Sequence, residues 1–218
     1  MSTRPVSRFK AVIFDLDGVI TDTAHYHFLA WKRLADSVGA PFDAAFNEQL
    51  KGVDRMGSLA LILARAARTY TPEEQRLLAA AKNAHYQELI ATMTPDDLLP
   101  GALRALEDVR AAGLKIGLAS VSRNAFTVLD RLGIRDRFDD VVDAATVVNG
   151  KPDPEIFLTA AAHLGVEPAD CLGVEDAAAG VAAIKDAGMV AVGVGRADVL
   201  YRADRVIPSM AAFRLEDY

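Results

Sequence analysis

The sequence predicts an α/β fold: a doubly wound parallel sheet of the Rossmann-like type, with a helical cap domain inserted after the first strand. Three observations carry this. From about residue 100 onward, short apolar runs alternate with helical segments, the pattern of a parallel sheet wrapped by helices. One further β-branched run, residues 11–14, stands alone near the N-terminus and is followed by a long all-helical stretch. Polar residues cluster where the runs stop, and in open α/β sheets ligands bind at those carboxyl ends.

Taken in order, 11–14 reads as a buried parallel strand that ends in Asp15-Leu16-Asp17-Gly18. Residues 24–38, 42–50, 55–68 and 72–92 carry apolar side chains at helical spacing. Thr71 followed by Pro72-Glu73-Glu74 is a good helix start, with proline at the first position and acids in the first turn. Pro95 and Pro100-Gly101 then punctuate the chain. Helices are expected over 102–112, 123–132, 154–164 and 178–187. Strands are expected at 115–119, near 141–142, at 171–174 and at 190–194. A last strand at 205–207 precedes a C-terminal helix. The expected division is a catalytic core of residues 1–21 and 96–218 and a cap of residues 22–95. Linkers near 18–22 and 93–100 would join them.

A chain of 218 residues, 51% hydrophobic, can fill one large core with an insert. A net charge of −6 gives no basic footprint for nucleic acid, and no apolar run is long enough to span a bilayer. Residues 1–8 carry two arginines but no apolar segment of the kind a signal peptide has. The single cysteine, Cys171, can form no internal disulfide. Placed before Leu172-Gly173-Val174, it is expected to be a buried structural thiol. The expectation is a cytoplasmic protein whose partner is a small molecule.

Asp15 and Asp17 at one strand end repel each other, so the site needs a cation or a proton. The chemistries open to such a pair are binding of Mg²⁺, nucleophilic attack and general acid/base work. Ser120-Val121-Ser122-Arg123-Asn124 follows the strand at 115–119. Hydroxyls and free backbone N–H groups at a helix start, with an arginine, make a phosphate cradle. Lys151, in Lys151-Pro152-Asp153-Pro154, can set a point charge on a phosphate. Glu175-Asp176 ends the strand at 171–174 and offers hard oxygen ligands. Each cluster alone has a plainer reading: a turn, a helix cap, or a solvated lysine. Their order and placement together suit phosphoryl transfer from a phosphate ester to an aspartate with metal assistance.

These four clusters resemble the four motifs of the haloacid dehalogenase superfamily. The resemblance is closer still to the β-phosphoglucomutase family within it. It runs through residues 14–23, His27, Trp31, residues 46–53, Arg55, Ser58 and Gly193-Val194-Gly195-Arg196. The resemblance implies that Asp15 is a nucleophile forming an aspartyl phosphate and that Asp17 is the general acid/base. Mg²⁺ would be held by Asp15, Glu175, Asp176 and the backbone carbonyl of Asp17. Ser120 and Lys151 would bind the transferring phosphoryl group, with Val121 in the same loop. Arg55, Ser122, Arg123 and Asn124 would bind the distal phosphate, Arg123 standing where the family pattern has lysine. Thr23, His27, Lys51, Gly52 and Ser58 would gate Asp17 and recognise the sugar. The implied reaction interconverts β-glucose 1-phosphate and glucose 6-phosphate through β-glucose 1,6-bisphosphate. A superfamily phosphatase acting on a sugar phosphate or phosphoglycolate is the alternative. The implied partner is a sugar phosphate, with no nucleic acid or membrane, and the implied state is monomeric. A cis bond is expected between Lys151 and Pro152. His85 and His163 match no motif and are expected to be structural.

Overall fold

A computed structural model describes residues 8–50 and 53–218 of the chain. Six parallel strands form one sheet in the order β3-β2-β1-β4-β5-β6. They are β1 (Ala11–Phe14), β2 (Lys115–Leu118), β3 (Asp140–Val141), β4 (Cys171–Glu175), β5 (Val190–Val194) and β6 (Arg205–Ile207). β1 is central, with Phe14 level with Leu118 of β2 on one side and Val174 of β4 on the other. The winding direction reverses at β1, so its carboxyl end opens into the crevice where such sheets bind ligands.

The helices in chain order are α1 (Ala24–Ser37), α2 (Ala44–Asn47), α3 (Arg55–Leu63) and α4 (Pro72–Ile90). They continue with α5 (Ala102–Ala111), α6 (Ala125–Leu132), α7 (Glu155–Leu164) and α8 (Ala178–Asp186). Alternate strand residues feed opposite layers, as the pleat requires. Val12, Phe14, Leu118 and Val174 pack with Leu106 of α5 and Val128 of α6. Ala11, Ile13 and Cys171 pack with Phe157 of α7 and Ile184 of α8. Cys171 is fully buried, as expected of a structural thiol.

The helices between β1 and β2 have a core of their own, built from Trp31, Leu34, Phe42, Phe46, Leu59 and Ile62. The ends of α1 and α4 nearest the sheet do not belong to it. Ala30, Tyr86 and Ile90 join the β1–β2 layer instead. The two connections run side by side. Leu99 N–H donates to the Ile20 carbonyl at 2.9 Å, and Thr21 Oγ1 donates to the Asp97 carbonyl at 2.7 Å. The predicted start of α4 is present as a capping box: Glu74 N–H donates to Thr71 Oγ1, and Thr71 N–H to the Glu74 carboxylate.

Three expected helices differ by more than two residues. The segment 42–50 splits into α2 and a 3-10 turn at Glu48–Leu50. Asp43 caps the Phe46 N–H at 2.8 Å, which leaves Phe42 outside the helix. The segment 55–68 stops at Leu63, because residues 64, 65, 67 and 68 are exposed and no burial rewards further turns. The expected C-terminal helix is two 3-10 turns, Met210–Ala212 and Leu215–Asp217. Its buried residues Met210, Phe213 and Leu215 are not spaced for one α-helical face, and short turns let each reach the sheet. Among the described residues, no helix is long and apolar enough to cross a membrane.

Candidate active site

Four strand-end loops converge above β1. Lys151 lies between two carboxylates: its Nζ is 2.6 Å from Asp15 Oδ1 and 2.8 Å from Glu175 Oε2. All three side chains are at most 9% exposed. The Lys151–Pro152 bond is cis, as expected. Glu175 Oε1 also accepts from the N–H groups of Asp176 and Ala177 at 3.2 and 3.0 Å. Two glycines make room for the acids. Gly18 has φ +76°, and a Cβ there would lie 2.2 Å from Asp176 Oδ2. A Cβ on Gly180 of α8 would lie 2.0 Å from Glu175 Oε2.

Burial works against a charge on Lys151, but Asp15 and Glu175 outweigh it and hold its pKa above the usual lysine value. Burial, and then the neighbouring Asp15, raise Glu175 as well, toward its protonated form, despite Lys151. In both shifts the neighbouring carboxylates favour the bound proton, because the cluster holds more carboxylates than cations. Asp15, Glu175 and Asp176 each offer a carboxylate oxygen, and these lie within 4.8 Å of one another. A compact all-oxygen set short of positive charge fits a hard divalent cation.

Asp17 stands apart from that trio. Its Oδ1 accepts from the Thr23 backbone N–H at 3.1 Å and from the Thr23 hydroxyl. Burial, and then the charge of Asp15, raise its pKa to about 6. A carboxyl that titrates near neutrality is suited to move protons in both directions.

A second polar group borders the same cavity. Asn83 Oδ1 accepts from Arg55 Nη2 of α3 at 2.7 Å and from Asn124 Nδ2 at 2.9 Å. Gln87 Nε2 donates to Asn124 Oδ1 at 3.1 Å. Burial, and then Arg123, lower the pKa of Arg55, because two guanidiniums face the same space. Such a pair is an anion site. Also on the cavity wall, Lys82 Nζ is 2.9 Å from His27 Nδ1 and sits over the rings of Trp31 and Tyr86 at 4.3 and 4.7 Å. Burial, and then Arg55, push Lys82 down to about 7. The aromatic faces favour its charged form and offset part of that. Burial, then Lys82 and Arg55, hold His27 well below its ordinary value, so it is neutral.

The structure gathers the sequence-predicted residues around one cavity of about 820 Å³. Asp15, Asp17, His27, Arg55, Ser58, Ser120, Val121, Ser122, Arg123, Asn124, Lys151, Glu175 and Asp176 all line it. Thr23 is not at its surface but fully buried behind Asp17. Lys51 and Gly52 lie outside the described residues. The helix expected at 123 begins at Ala125, which leaves residues 120–124 as a loop. There Ser120 Oγ accepts from the Ser122 N–H, and Ser122 Oγ from the Asn124 N–H. His85 bonds to Arg33 and Glu88, and His163 to Asp140, away from the cavity. Sequence reasoning missed Lys82, Asn83, Tyr86 and Gln87, all on α4. The available signal was a run of polar residues one turn apart where the helix should have met the core.

A family model described as haloacid dehalogenase-like hydrolase matches residues 9–188. The chain is 54% identical over 209 residues to a β-phosphoglucomutase of Bacillus subtilis, covering 95% of this chain and 92% of that protein. It is 35% identical over 183 residues to a phosphorylated carbohydrates phosphatase of Thermotoga maritima, covering 83% and 82%. The crystal structure of a Clostridium difficile β-phosphoglucomutase superposes with a TM-score of 0.93 at 47% identity, covering 96% of this chain and 95% of that one. The aspartate pair, buried lysine and acidic strand end thus sit on the scaffold that these relatives share, and the chain belongs to the haloacid dehalogenase-like hydrolase family.

Proposed function

We propose that this protein is a β-phosphoglucomutase that interconverts β-D-glucose 1-phosphate and D-glucose 6-phosphate through an aspartyl-phosphate enzyme and β-glucose 1,6-bisphosphate. The observation that carries the reading is the presence of two separate anion-binding groups on the wall of one cavity. Lys151 bonds to Asp15 with Ser120 on the same cavity wall, and Arg55, Arg123 and Asn124 line that cavity as a second cluster. A phosphatase needs only the first. A mutase must hold a bisphosphate by both ends, in either orientation.

In this reading, an Asp15 carboxylate oxygen attacks phosphorus, and the bond from phosphorus to the sugar oxygen breaks. Asp17 gives its proton to that leaving oxygen and takes a proton from the next sugar hydroxyl when the phosphoryl group returns. Lys151 holds Asp15 in line and neutralises charge on the transferring group. Asp15, Glu175 and Asp176, with the Asp17 carbonyl, would hold Mg²⁺, which supplies charge stabilisation for the phosphoryl oxygens. We divide the chain into a core of residues 1–21 and 96–218 and a cap of 22–95. The separate apolar core of the inserted helices supports this division. The enzyme would act as a cytoplasmic monomer.

The second reading is a sugar-phosphate phosphatase, supported by the 35% identity to the Thermotoga maritima phosphatase. Phosphorus NMR separates the two. With Mg²⁺, β-glucose 1-phosphate and a trace of bisphosphate, a mutase accumulates glucose 6-phosphate. Accumulation of inorganic phosphate instead selects the phosphatase.

A further inference from the structure

One residue of α4 joins the two halves of the second polar cluster. Arg55 comes from α3, and Asn124 from the loop that follows β2. Both give a hydrogen to the same oxygen, Asn83 Oδ1, at 2.7 and 2.9 Å. An arginine can only donate, so the oxygen of the Asn83 amide has to face it. One turn further along α4, Gln87 Nε2 donates to Asn124 Oδ1 at 3.1 Å. Asparagine is a poor helix former, yet Asn83 stands in the interior of α4. Its side chain bonds to residues 28 and 41 positions away, not along the helix.

The choice of an amide here has a chemical consequence. An aspartate in the same place would accept the same two hydrogens more strongly and would form an ion pair with Arg55. It would also cancel the charge that an anion needs. Among the described residues Arg55 has no carboxylate partner. The neutral amide fixes the guanidinium and leaves its charge uncompensated. Arg55 keeps its other N–H donors, and Asn124 its second amide hydrogen, for an oxygen-rich ligand in the cavity that both line. We propose that Asn83 is a positioning residue for the distal phosphate: by taking one hydrogen from each, its carbonyl oxygen holds the α3 arginine and the loop asparagine together for one phosphate group without neutralising the site. The inference rests on the mutase reading above, in which those two residues bind the phosphate that does not react.

Asn83→Asp and Asn83→Ala test it together. Asn83→Asp keeps the shape and both acceptor bonds, so its melting temperature should equal or exceed that of the wild type. Its kcat/KM for isomerisation of β-glucose 1-phosphate by the Mg²⁺-loaded enzyme should nonetheless fall roughly ten- to hundredfold, the effect of one hydrogen bond to a charged group. Asn83→Ala should lose a similar factor, and much less than that in an Arg55→Ala background. Phosphorylation of Asp15 by acetyl phosphate should change far less in both variants, because that donor carries no second phosphate. Wild-type kcat/KM in Asn83→Asp overturns the proposal and leaves Asn83 a mere tie between two elements. So does wild-type kcat/KM in Asn83→Ala, an equal loss of both reactions, or full additivity with Arg55→Ala. Should Asn83→Ala not fold, Asn83→Asp decides alone. If the wild-type chain itself fails to isomerise, the mutase reading falls instead, which is a separate outcome.

Discussion

Replacing Lys151 with methionine removes the one cation between Asp15 and Glu175 while keeping most of the side-chain volume. The lysine contacts the two acids at 2.6 and 2.8 Å and is 1% exposed, so solvent cannot substitute for it. Removing one partner of a buried ion pair costs about 3–5 kcal/mol, because a charge is left uncompensated. For a chain of this size each kcal/mol moves the melting point by about 2–4 °C, so the metal-free variant should melt roughly 6–20 °C lower. The pH dependence has a fixed sign. Lys151 is raised above its unfolded value of 10.5, so its contribution is fully present below that pH and is lost as pH climbs through the higher folded value. At the acid end the deficit should shrink, because Glu175 is already biased toward taking a proton. Mg²⁺ should recover more of the melting temperature in the variant than in the wild type, since it replaces the only missing charge. Scanning calorimetry in EDTA and in Mg²⁺ reads all of this. A metal-free variant that melts with the wild type would refute the buried-charge reasoning.

Asp17→Asn should lower kcat for isomerisation about 10²–10⁴-fold, the usual loss of a general acid/base, with the melting temperature near that of wild type; steady-state kinetics at several pH values would show it. Arg55→Ala should cost one or two charge-assisted hydrogen bonds of about 1.5–3 kcal/mol each, roughly ten- to thousand-fold or more in kcat/KM for isomerisation. Its effect on hydrolysis of acetyl phosphate should be much smaller, and equal losses would remove Arg55 from the distal phosphate site. Lys82 is pushed down to about 7, so between that pH and 10.5 the unfolded chain holds the extra proton and stability rises with pH. Lys82→Met should flatten the change in urea midpoint between pH 7 and 9, which for this group is on the order of 2 kcal/mol.

The core was legible in the sequence because its signals are local and redundant. Ala11–Phe14 is apolar on both faces, as a central parallel strand must be, and Asp15 and Asp17 sit one and three residues beyond it. Asp15, Lys151 and Glu175 are 136 and 24 residues apart in sequence, yet each was marked by its position at a strand end or before a helix. The cap was less legible. Lys82, Asn83 and Tyr86 belong to α4, whose first turns are exposed and whose last turns enter the sheet layer, so no single periodicity describes it. The bonds from Asn83 to Arg55 and to Asn124 span 28 and 41 residues, and no local pattern announces them. Helix ends were missed where burial stopped short of the apolar pattern, as after Leu63, or where the buried residues follow no helical spacing, as at the C-terminus.

In the proposed reaction the phosphoryl group rests on Asp15 on its way between two sugar oxygens. The most direct measurement is mass spectrometry of the Mg²⁺-loaded protein, quenched in acid moments after mixing with β-glucose 1,6-bisphosphate and then digested. A phosphoryl adduct should appear on Asp15, be lost on adding glucose 6-phosphate with return of the bisphosphate, and be absent in Asp15→Asn. An adduct on a serine, or turnover with Asp15→Asn, would contradict it.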